Sequence, residues 1–340
     1  MRTQDILSFA RRASLLAGLF VLAPVAYAAE GGHGVYLLGL RGTNAGITPP
    51  PGVYFANNVY YYSGAATASQ TVFPTLGGQA VANLKATAVL DLPSVMWSTP
   101  VEVLGGNLAF SLLWPIGGPS VNAGARLSSS VLGISAAGSQ SDSVFTLGDP
   151  AVSASIGWHA GNYHWNTALT GFVPVGDYRY GALANVANHR WATDVTGSFT
   201  WFDPKIGLDL SLAIGATFSQ ENAATQYKTG DEFHLEWAAT QYLSKEFSIG
   251  AVGYFYRQFT PDSGAGATFG QFMGQVAAVG GTLGYNFKVG NYPIAARVKV
   301  YSEFAVRNRL EGTAGFFTLS LPLYVNRTSA RPAGDVDAVN

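Results

Sequence analysis

The chain contains no cysteine, which removes disulfides and thiolate metal sites from consideration. Charge is scarce: Asp, Glu, Lys and Arg make up 11% of the 340 residues, against about 25% in ordinary soluble domains. Long apolar runs are also missing. Beyond residue 28 no uninterrupted stretch approaches the roughly 18 residues that a membrane-spanning helix requires. The net charge of −1 leaves no basic footprint for nucleic acid. A chain this poor in charge, 48% hydrophobic and 13% aromatic, with 41 glycines, would make an unusual soluble surface. A lipid-facing exterior accounts for it directly.

The pattern that fits such an exterior is clearest over Ile206–Ser219, IGLDLSLAIGATFS. The even positions from Ile206 to Phe218 are all apolar, and the odd positions from Gly207 to Ser219 are small or polar, Asp209 among them. A strict period of two assigns one chemistry to each face of a β-strand. At about 3.3 Å per residue such a strand crosses a bilayer core when tilted by about 45°. The polar face is too hydrophilic for a sandwich core, so the segment reads as one stave of a transmembrane antiparallel barrel, oily outside and wet inside.

The first 28 residues carry a secretory signal: Arg2, Arg11 and Arg12, the apolar run Ser14–Val25, and Ala26-Tyr27-Ala28 as a small-x-small cleavage site. Residues 29–51, interrupted by Pro49-Pro50-Pro51, read as a periplasmic arm or a segment folded into the barrel mouth. Val35–Leu40 is a candidate short strand. Residues 52–325 form the barrel and 326–340 a C-terminal tail.

From residue 159 the connections alternate short (160–162, 203–205, 243–246, 288–292) and long (174–190, 220–231, 259–270, 305–314). Outer-membrane barrels do the same, with tight periplasmic turns and longer external loops. Reading Pro115–Pro150 as one external excursion, 64–79 as the first external loop and Val101–Gly106 as a turn gives twelve strands. Counting Asn122–Ile134 and Val35–Leu40 as strands gives fourteen. Tyr60, Tyr61, Trp97, Trp114, Trp158, Trp165, Trp191, Trp201 and Tyr254 fit interface girdles.

The polar face of the barrel carries the candidate chemistry. Glu232, His234 and Glu236 stand at i, i+2 and i+4, a spacing that suits a row of lumen-facing polar residues or, less directly, a metal or a proton path. Arg297, Lys299 and Glu303 make a second row, and Asp194, Asp209 and Lys85 add to the lumen charge. Both signs together suit salt-bridged packing or a polar channel wall rather than an ion filter. A hydrolytic barrel would need a serine beside one of His159, His164, His189 or His234; no Gly-x-Ser-x-Gly elbow is present. No catalytic residue, metal or cofactor is assigned.

Several local patterns run in order along the chain: Gly148-Asp149-Pro150; Gly157-Trp158 with His164; Pro174-Val175-Gly176-Asp177-Tyr178; Glu221-Asn222; Thr225-Gln226-Tyr227; Gly230-Asp231-Glu232-Phe233-His234; Gly250 through Gln258; and Arg307-Asn308-Arg309-Leu310-Glu311-Gly312. In these the chain resembles a family of bacterial outer-membrane proteins associated with the meta-pathway of phenol degradation. Val175 stands where that family usually has threonine, Gln226 where it has an acid, and the tail follows a strand that usually ends the chain. The resemblance implies an outer-membrane channel that passes small hydrophobic or aromatic solutes inward. It also implies outer-membrane lipid, lipopolysaccharide and the barrel assembly machinery as partners. The motif residues Asp177, Tyr178, Tyr227, Asp231, Arg307 and Arg309 fall on the external side of the strand plan. There they are expected to form a vestibule, with Arg307 and Arg309 pairing with Asp231 or Glu221. A structural or adhesive barrel without transport is the competing reading.

Overall fold

In the computed structural model the stave read from sequence is the strand Leu208–Ser219. Asp209, Ser211, Thr217 and Ser219 are buried inside, while Leu210, Leu212, Ile214 and Phe218 stand on the outer wall. A single register shift would exchange these faces. That would place Asp209 in hydrocarbon, where charged side chains are costly, and turn the leucines into the lumen. The structure describes residue 30 and residues 33–72, 78–129, 134–267 and 272–325. The signal segment and the C-terminal tail lie outside these residues.

The strands are β1 (Gly52–Val72), β2 (Gly78–Val103), β3 (Gly106–Leu113), β4 (Ile116–Ser129), β5 (Ile134–Ser143), β6 (Thr146–Leu147), β7 (Ala151–Ala160) and β8 (Tyr163–Phe172). They continue as β9 (Ala192–Asp203), β10 (Leu208–Ser219), β11 (Glu232–Tyr242), β12 (Phe247–Gln258), β13 (Gln275–Val289), β14 (Tyr292–Arg307) and β15 (Glu311–Val325). All pairings are antiparallel. β1 bonds to both β2 and β15, which closes β1-β2-β3-β7 through β15 into a barrel of 12 staves. Closure pairs both sides of the barrel wall, the condition for a sheet to sit in lipid, and among the described residues leaves β5 as a free edge only in the external extension.

The alternative of fourteen staves fails for two reasons. Val35–Leu40 is not a strand; it bends through the lumen. Asn122–Ser129 is strand, but it belongs to β4, which continues β3 past a break at Trp114–Pro115 and pairs with the far half of β2. β5 and β6 return along β4 before the chain re-enters the wall as β7. Residues 116–129 and 134–143 therefore form a sheet that prolongs two staves, not an irregular excursion; residues 130–133 lie outside the described residues. The β1–β2 hairpin is likewise paired up to Val72↔Gly78, so residues 64–72 and 78–79 are strand rather than loop. On β14–β15 only residues 308–310 lie between strands, where the sequence pattern suggested 305–314.

The remaining connections keep the expected asymmetry. Short turns occupy one end, such as Leu104–Gly105, whose φ values of 52° and 76° are those of a tight hairpin turn. The loops 173–191, 220–231 and 259–274 occupy the other. The long-loop end is the external one by the usual asymmetry of such barrels. Of the proposed girdle, Tyr61, Trp97, Trp114, Trp165 and Trp191 face outward, but Tyr60 and Tyr254 are buried inside the barrel. Lys85 is also corrected: it lies on the outer face of the β1–β2–β4 extension, opposite Ala65 and Asn122, and is exposed rather than lumenal.

Candidate functional site: a lumen divided by the N-terminal segment

Residues 33–51 run down the inside of the barrel. At the external end the Glu30 carboxylate accepts hydrogen bonds from Asn222 Nδ2 (3.0 Å) and Thr225 Oγ1 (2.6 Å), with Arg190 Nη1 at 3.4 Å. Deeper, Tyr36 stacks on the His234 ring at 3.7 Å and donates its hydroxyl to Glu236 at 2.6 Å. Arg41 N–H donates to the other Glu236 oxygen at 3.0 Å. Lys299 Nζ reaches the carbonyls of Gly39, Leu40 and Arg41 at 2.5, 2.7 and 3.1 Å. Arg297 and Thr240 both meet the Thr43 hydroxyl, and Gly46 N–H donates to Thr200 Oγ1 at 2.9 Å. Ser98 holds Pro49 just before β1 begins.

The turn at Gly39 requires glycine. Its φ is +83°, and a Cβ there would stand 2.9 Å from the Tyr301 ring. Gly46 is similarly constrained, since a Cβ would come within 2.6 Å of both Thr200 N and His164 O.

The segment thus covers the polar half of the inner wall, formed by β9, β10, β11 and β14. The rows Glu232-His234-Glu236 and Arg297-Lys299 share this half and are partnered mainly by backbone and side chains of the segment. His234 Nε2 meets Asp194 Oδ2 at 2.7 Å, and Asp194 also accepts from Thr196 and Thr217. Glu232 accepts from Tyr256 OH at 2.6 Å. Among the described residues no group of three metal-ligating side chains is found. Among the described residues no serine hydrogen-bonds His234, whose ring is covered by Tyr36.

The external loops are tied by buried acids. Asp149, from Gly148-Asp149-Pro150, accepts from the backbone of Gly176, Asn188 and His189, which closes the 173–191 loop onto the root of β7. Asp262 accepts from Tyr227 OH (2.6 Å), Gly230 N (2.9 Å) and Gln258 Nε2 (2.7 Å), locking 220–231 to 259–274. Asp177 bonds Thr146, and Tyr178 stacks on His189. Asp231 bonds Thr260 through its backbone. Arg309 turns inward over the Tyr256 ring at 4.2 Å, while Arg307 stays exposed on the outer rim. The expected pairing of these arginines with Asp231 or Glu221 is absent among the described residues. Burial needs of the Tyr256–Glu232 pair draw Arg309 inside, and the outward parity of Arg307 holds it away.

Glu30, Asp149, Arg190 and Asp262 were not singled out as site residues from sequence. Only Asp149 carried a signal, its place in Gly148-Asp149-Pro150, one of the patterns that carry the family resemblance.

On β5, Asp142 accepts from Ala184 N–H and Arg179, which hold its carboxyl below the usual carboxylate range, the backbone bond foremost. A depressed folded-state pKa adds stability above the unfolded value, about 4, and loses it as pH falls through the folded value. We expect the 179–187 amides to keep their hydrogen-exchange protection at neutral pH and to lose it only on strong acidification. Equal protection in Asp142→Asn at low and neutral pH is the expected signature of the neutral isostere; unchanged titration behaviour in that variant would remove Asp142 from the account.

What the segment leaves open is a cavity of about 1500 Å³ along the opposite wall. Tyr178, Asn185, Arg190 and Phe172 line it at the external end, Leu38, Tyr60, Leu90 and Leu92 midway, and Met96, Lys245 and Phe287 toward the short turns. Its middle section is therefore largely apolar and aromatic; Glu303 and Arg309 also reach it, while Glu232, His234, Glu236, Arg297 and Lys299 sit behind the segment.

A closed barrel with short turns at one end, long loops at the other and an inward-folded N-terminus is the architecture of outer-membrane channels. The chain belongs to the family described as "Putative MetA-pathway of phenol degradation", which matches residues 70–319. A solved outer-membrane channel from Pseudomonas putida F1 superposes with a TM-score of 0.62 at 12% identity, covering 81% of this chain and 97% of the other. A Pseudomonas aeruginosa FadL homologue gives 0.34 at 10% identity, covering 79% and 88%. The transport unit of the Escherichia coli autotransporter AIDA-I gives 0.39 at 12%, covering 86% and 93%. No curated protein matches the chain. The protein is a β-barrel of the bacterial outer membrane, set among its lipids.

Proposed function

We propose that the protein is a passive channel for small hydrophobic or aromatic compounds. The observation that carries this reading is the cavity of about 1500 Å³, lined from the external loops to the short turns and apolar at mid-depth. A lipopolysaccharide leaflet admits apolar solutes slowly, and a wall of Leu38, Leu90, Leu92 and Tyr60 gives them a path that water and ions share poorly. Tyr178 borders the external end of that path, and Tyr227 braces the loops beside it. The rows Glu232-His234-Glu236 and Arg297-Lys299 anchor the segment rather than touch solute, and no catalytic role falls to them. The exposed end of β15, Leu323-Tyr324-Val325, offers the assembly machinery an aromatic terminus ahead of the tail.

The test is uptake of a labelled aromatic hydrocarbon by cells that express the channel. Leu90→Trp, which projects a larger ring into the cavity at mid-depth, is expected to lower the initial rate about tenfold, the effect of a barrier near 1.4 kcal/mol. Wild-type rates in a correctly assembled Leu90→Trp barrel would overturn the proposal. The competing reading, a structural barrel, draws support from the many bonds that hold the segment. It predicts no difference in uptake between cells with and without the protein.

A further inference from the structure

On the outer wall just below the external loops, β11–β14 present a second feature that the channel reading does not use. A groove of about 450 Å³ is lined by Phe233, Phe255, Arg257, Gln258, Phe259 and Met273. Phe233 and Phe255 pack together at 6.4 Å, and Phe259 is half exposed beside Phe218. Arg257 stands at the top of the groove, opposite Gln275 on β13, which in turn faces Arg307 on β14. The two arginine backbones are thus two strand spacings apart, about 10 Å. Both arginines are exposed, and neither has an ion-pair partner among the described residues.

The position fixes the environment. Arg257 is the penultimate residue of a 12-residue stave, so it lies where the outer leaflet passes from acyl chains to head groups. Below it the surface is aromatic; above it begin the polar loops. An unpaired guanidinium at that height, over an apolar groove, matches a ligand with a phosphate above and a hydrocarbon chain below. Arginine suits such a phosphate because its planar fork donates two parallel hydrogen bonds.

We propose that this rim is a binding site for a phosphorylated glycolipid of the outer leaflet, of lipid A type. Arg257 and Arg307 receive its phosphates, and one acyl chain lies in the groove between Phe233, Phe255 and Phe259. The site is on the outside of the barrel, so it stands or falls independently of what the lumen carries.

Native mass spectrometry of the full-length mature protein in detergent tests this, with diphosphorylated lipid A, dephosphorylated lipid A, inorganic phosphate and phosphatidylethanolamine as probes. Retention of diphosphorylated lipid A is expected to exceed that of the dephosphorylated form about tenfold. In the double variant Arg257→Gln, Arg307→Gln it should fall by at least the same factor, since both charge-assisted contacts are removed. Lys205→Gln, in a turn at the opposite end, should leave retention unchanged. Equal binding of the two lipid A forms, full competition by inorganic phosphate, undiminished binding in the double variant, or an equal loss in Lys205→Gln would each overturn the proposal. Heat-modifiable migration of each variant confirms that the barrel is intact in every arm.

Discussion

Deleting residues 31–47 is expected to convert the protein into an open, water-filled pore whose single-channel conductance exceeds that of the intact chain severalfold. The reason lies in what the segment covers. Thr200, Asp209, His234, Glu236 and Lys299 line half of the inner wall and are buried only because residues 33–51 lie over them. Without that cover they hydrate, and the cavity merges with the space the segment occupied. Asp194, Asp209, Glu232 and Glu236 then face Arg190, Arg297, Lys299 and Arg309 across one lumen, so ion selectivity should be weak. Gly46→Ile provides a second approach that keeps the chain length. Its side chain cannot fit within 2.6 Å of the β8 and β9 backbone, so the lower part of the segment must lift. Planar-bilayer recordings of both variants make the measurement. A deletion variant with the conductance of the intact protein would show that residues 33–51 do not occlude the pore.

The sequence reveals one face of this arrangement more clearly than the other. Periodicity of two was plain in Leu208–Ser219 because its two solvents differ: hydrocarbon outside, and a polar inner wall. On β2 the same rule was less decisive. Val89 stands on the outer wall while Leu90 and Leu92 line the cavity, so both faces are apolar and alternation alone does not say which is which. Tyr60 and Tyr254 were read as girdle residues for the same reason. An aromatic-lined lumen makes an inward tyrosine look like an interfacial one. Glu232, His234, Glu236, Asp194, Asp209 and Lys299 are buried on the inner wall, whereas Lys85 is exposed on the outer face of the strand extension. The partners of those rows were out of reach. They come from a segment some 200 residues away whose own pattern, glycines and three prolines, records only that it is not a strand. Asp262 and Glu30 gave no local signal, since a single acid in a loop looks the same whether it joins two loops or faces water.

The second large effect concerns the buried His–Asp pair. Asp194→Ala is expected to destabilise the folded barrel by several kcal/mol, since each buried donor left without its acceptor costs about 1–3 kcal/mol. Asp194 accepts bonds from His234 Nε2 and Thr217 Oγ1, each at 2.7 Å, and from Thr196. Its removal leaves three donors without acceptors in a region with no access to bulk water. His234 Nδ1 has no hydrogen-bond partner among the described residues, so the ring would keep none of these bonds. The stacked Tyr36 and its bond to Glu236 depend on that ring's position, so the loss extends to the lumen segment. Asp194→Asn should cost less, because its carbonyl oxygen can still accept from Thr217. The double change Asp194→Val with His234→Leu should recover a large part of the loss, since an apolar pair of similar volume leaves no orphaned donor but Thr196 and Thr217, which can rotate toward other acceptors. Urea unfolding in detergent, followed by tryptophan fluorescence, reads all three against the intact protein. A midpoint for Asp194→Ala within error of the intact barrel would mean that water reaches this pair, and that the segment does not seal the polar wall.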